Sequence, residues 1–365
     1  MSHQSVLSYM EELAPLSYAA SWDNCGLQFG NPGDACRGIL VSVNPSLAAA
    51  QEAGRLGANL LITHHPLLFK ATKRLDTRVD PGRIIQFLAE AGITSYAAHT
   101  NLDATACNHH LSKLFGIPMD RPLEVEGRHP FYKLVVTVPI DQSHGLLEAL
   151  WAAGAGKLGE YDRAGFWSDG TASFRPLQGA TPAVGAIAQD HAGPERRIEV
   201  LVPGRVRGAV LGALSQHHPY ESPAYDLIRL ENAGEPYGIG LWGELPSPMT
   251  AYEVAERVRT GIHPRTLRLV GDGNRPVSRV GVCSGAGGDL VNRAIELGLD
   301  LFITGEVRYH TALEAAQQGL CLVEAGHQAT EEPVVDVVVE YLRARFPDLA
   351  IQGFSEPEPF EVLAP

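Results

Sequence analysis

The chain has 365 residues, enough for two or three domains that each bury a core. Its 45% hydrophobic and 19% charged residues are those of an ordinary globular protein, and no apolar run approaches the roughly 20 residues of a membrane span. The net charge of −13 argues against a nucleic-acid partner, which would require a basic face.

In chain order, a helix is expected over residues 3–13, with Val6, Leu7, Met10 and Leu13 on one face. The N-terminal stretch lacks the basic start and apolar core of a secretory signal. The five cysteines, at 25, 36, 107, 283 and 321, form no CxxC pair, so they read as reduced thiols, and the expected location is cytoplasmic. "SWDNCGLQFGNPGD" (21–34) is rich in Gly, Asn and Asp and reads as a turn-laden loop. "ILVSVNPS" (39–46) opens with a buried strand. "LGANLLITHHPLLF" (56–69) ends a helix and carries a second strand that closes in His64-His65-Pro66. "SYAAHTNLDA" (95–104) is a third strand, followed by His99 and Asp103. A helix capped at Ser247 or Thr250 covers 247–262, and an amphipathic helix over 330–346 has Pro333 in its first turn.

Two internal duplications organise these elements. The first pairs 56–69 with "LGLDLFITGEVRYH" (297–310), placing Gly57 opposite Gly298 and Thr63 opposite Thr304, and 39–46 opposite "VGVCSGAG" (280–287). It continues from 95–104 to "CLVEAGHQATEE" (321–332), with His99 opposite His327 and Asp103 opposite Glu331. The fold class is therefore α/β, a duplicated unit of parallel βαβ type. The second duplication lies between these halves. "KLVVTVP…EYDRAGFW", starting at 133, matches "RIEVLVP…AYDLIRLE", starting at 197, as strand, helix and strand twice over, which suggests an inserted ferredoxin-like α+β domain. The expected division is 1–128 and 245–365 as the two halves of the α/β domain, with 129–244 as the insert; such insertions are tolerated where the inserted ends lie close together.

The chemistry gathers where these strands end. In open α/β sheets, functional groups collect beyond the carboxyl ends of the strands. A lone histidine there is ordinarily a core or surface side chain. Here His64 and His65, His99 with Asp103, and His327 with Glu331 occupy three related strand ends. The i, i+4 spacing of the latter two pairs puts both members on one side of a helical turn. Six nitrogen and oxygen donors exceed the needs of one catalytic ion and suit two, and the absence of cysteine suits Zn, Mn, Fe, Co or Ni.

With these motifs in hand, the sequence resembles the Nif-three-like dinuclear-metal family, also called the GTP cyclohydrolase 1 type 2 family. "SWDNCGLQFG", "ITHHPLLF", "AAHTNLDA", "TGEVRYH" and "AGHQATEE" carry the resemblance over essentially the whole chain. It implies that His64, His65, Asp103, His327 and Glu331 hold two divalent metal ions, with His99 beside them. It also implies that 129–244, with "HHPYESPAYDL" at 217–227, is a PII/CutA-like domain, and that subunits form a homohexameric toroid whose sites face an internal cavity. Many members have Asp where this chain has Glu306, a longer carboxylate.

The function the resemblance implies is hydrolysis of a small molecule, GTP or another nucleotide, with opening of the imidazole ring and loss of formate. His99, Glu306 and His310 are the candidates for moving protons. The competing reading is a non-enzymatic metal-binding or regulatory assembly whose insert senses a small molecule. Among other motifs, Gly285–Gly288 in "CSGAGGDL" has the composition of a phosphate-cradling turn or of a plain tight turn. His109-His110 read as a solvated helix start, and His217-His218 as a structural turn or small-ligand contact.

Overall fold

The N-terminal periodicity becomes helix α1 (His3–Leu13), capped by the Ser2 side chain and burying Val6, Leu7 and Met10. The computed structural model describes residues 1–362. There follow β1 (Gly26–Phe29), β2 (Gly38–Ser42), α2 (Leu47–Arg55), β3 (Leu60–Thr63), α3 (Gly82–Ala91) and β4 (Thr94–Ala97). Every residue of β2, β3 and β4 is buried, as parallel strands covered on both faces must be. Alternation along them divides the core: Ile39, Leu60 and Ile62 pack with α1, whereas Leu40 and Leu61 pack with α2 and α3.

The segment 21–34 is not all loop. Gly26–Phe29 forms an edge strand antiparallel to β4, so tertiary pairing overrides a turn-like composition. Beyond β4 the chain enters a short helix α4 (Thr100–Leu102), passes through a π turn over Asp103–Cys107, and continues as α5 (Asn108–Phe115). β5 (Arg121–Arg128) completes this half.

The chain divides into two compact units, Arg128–Glu235 and the remainder on either side of it. The smaller contains β6 (Phe131–Pro139), α6 (Ser143–Ala152), β7 (Gly165–Phe174), β8 (His191–Pro203), α7 (Arg207–His217) and β9 (Tyr225–Leu230). Its antiparallel sheet has the order β7-β8-β6-β9, the connectivity of a ferredoxin-like sandwich. Leu134, Val136 and Val138 of β6 and Ile198, Val200 and Val202 of β8 face α6 and α7 in its own core. The boundary expected at residue 244 falls inside the next strand, β10 (Pro236–Thr250), which belongs to the larger unit.

After β10 come α8 (Ala251–Ile262), β11 (Arg268–Val270), β12 (Pro276–Cys283), α9 (Val291–Glu296), β13 (Leu301–Thr304), α10 (Tyr309–Gln317) and β14 (Cys321–Glu324). Then follow α11 (His327–Glu331), α12 (Pro333–Arg345) and β15 (Ala350–Phe354). Thr250 and Glu253 form a reciprocal capping box at α8, a device worth about 1 kcal/mol. Pro333 sits at the start of α12, where no backbone donor is needed. The two sheets run β1-β4-β3-β2-β15 and β11-β14-β13-β12-β10-β5. The duplication thus extends to the edge strands, since β11 lies antiparallel to β14 as β1 does to β4. It breaks at the other edge, where β15 joins β2 in parallel but β10 joins β12 antiparallel.

Candidate metal centre

The two adjacent histidines converge because β3 stops at them. His64 N–H donates to Ser42 O (3.0 Å) and His65 N–H to Val43 O (2.9 Å). Successive N–H groups of a regular strand point to opposite sides. Donation by both to one neighbour marks the end of the pleat before Pro66, and their ring centroids come within 5.3 Å. His99 follows β4 by two residues. Its counterpart His327 follows β14 by three; the extra residue is Gly326, whose φ of 90° lies where a side chain would be strained. Thr63 is in register with Ala97 and Thr304 with Glu324, so the strand ends lie level within each sheet.

The six expected donors meet. His64, His65 and His99 place ligand atoms within 4.8 Å of one another, as do His65, His327 and Glu331, so His65 is common to both groups. Asp103 Oδ1 lies 3.7 Å from His64 Nε2. Glu331 spans the centre: Oε1 is 3.1 Å from His327 Nε2 and 3.9 Å from His64 Nε2, and Oε2 is 3.1 Å from His65 Nε2.

All four imidazoles are held at Nδ1. His64 Nδ1 meets Ala98 O at 3.0 Å, His65 Nδ1 meets Asn44 Oδ1 at 2.9 Å, and His99 Nδ1 meets both Asp23 oxygens at 3.0 Å. His327 Nδ1 lies 3.5 Å from Glu306 Oε2. Acceptors at Nδ1 fix the N–H there and leave the Nε2 lone pair as the free donor, the outer arrangement that orients metal-bound histidines. Two atoms then lack protein partners: His64 Nε2 and Glu331 Oε2 are buried without a hydrogen bond. Glu331 Oε2 faces His65 Nε2 at 3.1 Å, so a proton or a cation held between the two atoms would satisfy both. The donor set and the orphaned atoms fit divalent metal ions.

The charges are coupled accordingly. Burial raises the Glu331 carboxyl, but His327, His65 and the nearby His64 outweigh it and hold it well below the carboxylate range. Glu331 in turn drives His327 up to about 9. Burial pushes His64 down. His99 is also lowered by burial, yet its hydrogen bond to Asp23 prevails and raises it overall. Burial opposes ionisation of Asp23, but hydrogen bonds from His99, Thr100 and Cys25 keep it well below the ordinary range. The half-buried Cys25 thiol is pushed up to about 11 by desolvation and by its hydrogen bond to Asp23 at 3.0 Å.

The candidates for proton transfer separate in space. His99 lies in the cluster, and Glu306 touches it through His327. His310 is exposed in the first turn of α10 against Tyr309, and among the described residues no hydrogen bond or ion pair joins it to the cluster. Three N–H groups of the glycine turn after β12 are engaged within the protein. Ser284 N–H bonds Asn108 Oδ1, Gly285 N–H bonds Thr330 Oγ1, and Gly287 N–H bonds Thr304 Oγ1. It reads as a tight turn supporting the centre rather than a phosphate cradle, and Ser284 Oγ donates to Asp103 Oδ1 at 3.1 Å. Gly285 has φ +60°, and a Cβ there would lie 2.2 Å from Glu331 Oε1. His109 and His110 lie in the first turn of α5, as expected, but are half-buried rather than solvated. His218 is buried in a structural turn, bonded to Thr137 O and to Tyr220 N–H.

Sequence reasoning missed Asp23, Asn44 and Ser284, each ordinary where it stands in the sequence. It also missed the π turn at Asp103, a local widening that often marks functional sites.

Comparison with known proteins gives consistent matches. The sequence pattern of the family described as Duf34/NIF3 (NGG1p interacting factor 3) matches residues 1–359. A "GTP cyclohydrolase 1 type 2 homolog" of Bacillus subtilis is 34% identical over 328 residues, covering 89% of this chain and 88% of the relative. A protein of the same name from Mycobacterium leprae is 33% identical over 348 residues, covering 93% and 90%. The crystal structure of a Bacillus cereus protein related to NIF3 superposes with a TM-score of 0.77 at 32% identity, covering 100% of this chain and 99% of that one.

Proposed function

The chain belongs to the Duf34/NIF3 family, and on that premise we propose that it is a dinuclear metal-dependent hydrolase of the GTP cyclohydrolase 1 type 2 kind. The observation that carries the reading is the pair of three-donor groups sharing His65, with His64 Nε2 and Glu331 Oε2 buried and unpartnered. His64, His65, Asp103, His327 and Glu331 would hold two divalent ions, of the Zn, Mn, Fe, Co or Ni class. When bound, such ions lower the pKa of water toward neutrality and polarise the bond under attack.

The chain's own residues supply the rest. Attack on the imidazole carbon of a purine requires a proton to leave the water and another to reach the departing ring nitrogen. His99 is suited to both steps: Asp23 fixes its Nδ1 as a donor, supports its protonated form, and leaves Nε2 to exchange the proton. Glu306, more than half exposed and beside His327 Nδ1, orients that ring and can pass protons to solvent. His310 would act only on a substrate that extends past α10.

The substrate in this reading is a small molecule, GTP or another nucleotide, as the names of the relatives suggest. The proposal includes a homohexameric toroid, a PII/CutA-like character for the inserted unit, and a cytoplasmic location. No helix among the described residues is long and apolar enough to cross a membrane. The test is turnover of GTP and a panel of nucleotides by Zn-, Mn- and Fe-loaded protein, with light scattering for the assembly. Formate release that disappears in His65→Ala supports the hydrolase. Full metal loading with no turnover of any nucleotide would favour the regulatory assembly instead.

A further inference from the structure

Beside the metal centre stands an aromatic pair that the chemistry above leaves unused. Trp22 and Phe69 are 60% and 49% exposed, although each contacts the half-buried ring of His99. Their ring centroids are 6.1 Å apart at 72°, and each lies 6.3 Å from the His99 centroid. They form two walls of an apolar step with the proposed proton carrier at its base.

The step is held rigidly. Asn24 Nδ2 donates to Leu68 O at 2.8 Å, and Leu68 N–H donates to Gln28 Oε1 at 3.1 Å, which ties the loop bearing Trp22 to the loop bearing Phe69. Asp23, next to Trp22, is anchored by Thr100 N–H at 3.1 Å and by His99. Large exposed aromatics on a fixed frame beside a polar, metal-binding centre have the make-up of a small-molecule site.

The charge next to the step is unusual for this chain. Phe69 is followed by the exposed run "KATKRLDTRVD" (70–80), in a protein of net charge −13. Arg78 pairs with Asp76 in that run, but Lys70, Lys73 and Arg74 make no ion pair among the described residues. Three exposed cations within five residues of Phe69 in sequence match an anionic tail attached to a flat ring.

We propose that Trp22 and Phe69 form the ring-binding subsite of the metal centre, stacking a planar heteroaromatic base, and that Lys70, Lys73 and Arg74 take its phosphate tail. This rests on the hydrolase reading and its nucleotide substrate, and assigns the residues that would recognise the ring and the phosphate tail.

The test uses full-length, metal-loaded protein and three probes: GTP, guanosine and inorganic tripolyphosphate. Calorimetry and tryptophan fluorescence report binding, while metal content and light scattering are followed in parallel. Trp22→Ala and Phe69→Ala should each weaken GTP and guanosine roughly 5- to 100-fold and leave tripolyphosphate unchanged. Trp22→Phe should recover most of the loss. Lys73→Ala/Arg74→Ala should weaken GTP and tripolyphosphate but not guanosine. Unchanged GTP and guanosine binding in both aromatic variants overturns the proposal. So does failure of wild type to bind any probe, or a change of assembly mass in Trp22→Ala, which would make the pair a contact between copies. The two readings fail separately. Binding through Trp22 and Phe69 without turnover removes the hydrolase and keeps the subsite; turnover and binding undiminished in Trp22→Ala and Phe69→Ala do the reverse.

Discussion

Replacing Gly285 by alanine should disable half of the metal centre without unfolding the protein. Two costs are involved, and a second glycine separates them. Gly285 has φ +60°, and Gly92, at the end of α3, has φ +64°. Alanine in this left-handed region costs about 1–2 kcal/mol at either site. At Gly92 the new Cβ would meet nothing within 4 Å, so strain is the whole effect. At Gly285 the Cβ would lie 2.2 Å from Glu331 Oε1 and 3.3 Å from His327 Nε2. The carboxylate must retreat by about 1 Å to reach ordinary contact, yet it is buried and set between His65 and His327. A displacement of this size at a preorganised site costs about 10- to 100-fold in metal affinity. Thermal unfolding of metal-free protein should therefore fall in both variants, by about 2–4 °C per kcal/mol, and by at least as much in Gly285→Ala as in Gly92→Ala. Elemental analysis after dialysis should find two ions per chain in Gly92→Ala and close to one in Gly285→Ala. Full loading of Gly285→Ala at wild-type affinity would show that Glu331 is not where the ions bind.

His65→Ala should lose both ions, because His65 belongs to both donor groups, whereas His327→Ala should lose one preferentially; elemental analysis that finds equal losses would refute the shared role. Near pH 7, metal binding should release about one proton per chain from His327, whose pKa in the metal-free chain is about 9, and calorimetric heats should vary with buffer ionisation enthalpy. The release should fade as pH rises through 9, and a buffer-independent heat at pH 7 would contradict it. The same shift stabilises the metal-free fold fully below the ordinary value of 6.5, and that contribution is lost as pH rises through about 9. Residues 128–235, which have a core of their own, should unfold cooperatively when expressed alone, and the chain with that segment replaced by a short Gly/Ser linker should still bind two ions. A linker protein that folds but binds no metal would mean that the excised segment supplies ligands.

Much of this centre was legible before any coordinates because its parts repeat. His64-His65 closing an apolar run, and H-x-x-x-D matched by H-x-x-x-E across the duplication, mark equivalent strand ends and the six side chains that meet there. Helical and strand periodicity likewise located α1, α12 and the parallel strands, since burial on one or both faces leaves a pattern within a few adjacent residues. Gly285–Gly288 shows the limit of such reading. Composition alone leaves two roles open, and the partners of the Ser284, Gly285 and Gly287 N–H groups favour the tight turn.

What the sequence determined by itself is therefore the class of fold, the inserted unit and the six side chains that gather at the candidate centre, all of which rest on local periodicity or on repetition. The tertiary structure alone decided how those donors are aimed. Asp23 reaches His99 across 76 residues, Ser284 reaches Asp103 across 181, and Asn44 meets His65 only because β2 and β3 lie side by side. It also turned part of an apparent loop into β1, by pairing it with β4. No short-range pattern encodes such contacts. A single aspartate or serine in a turn looks the same whether it faces solvent or a histidine, and the difference lies in which strand end the folded chain brings opposite it.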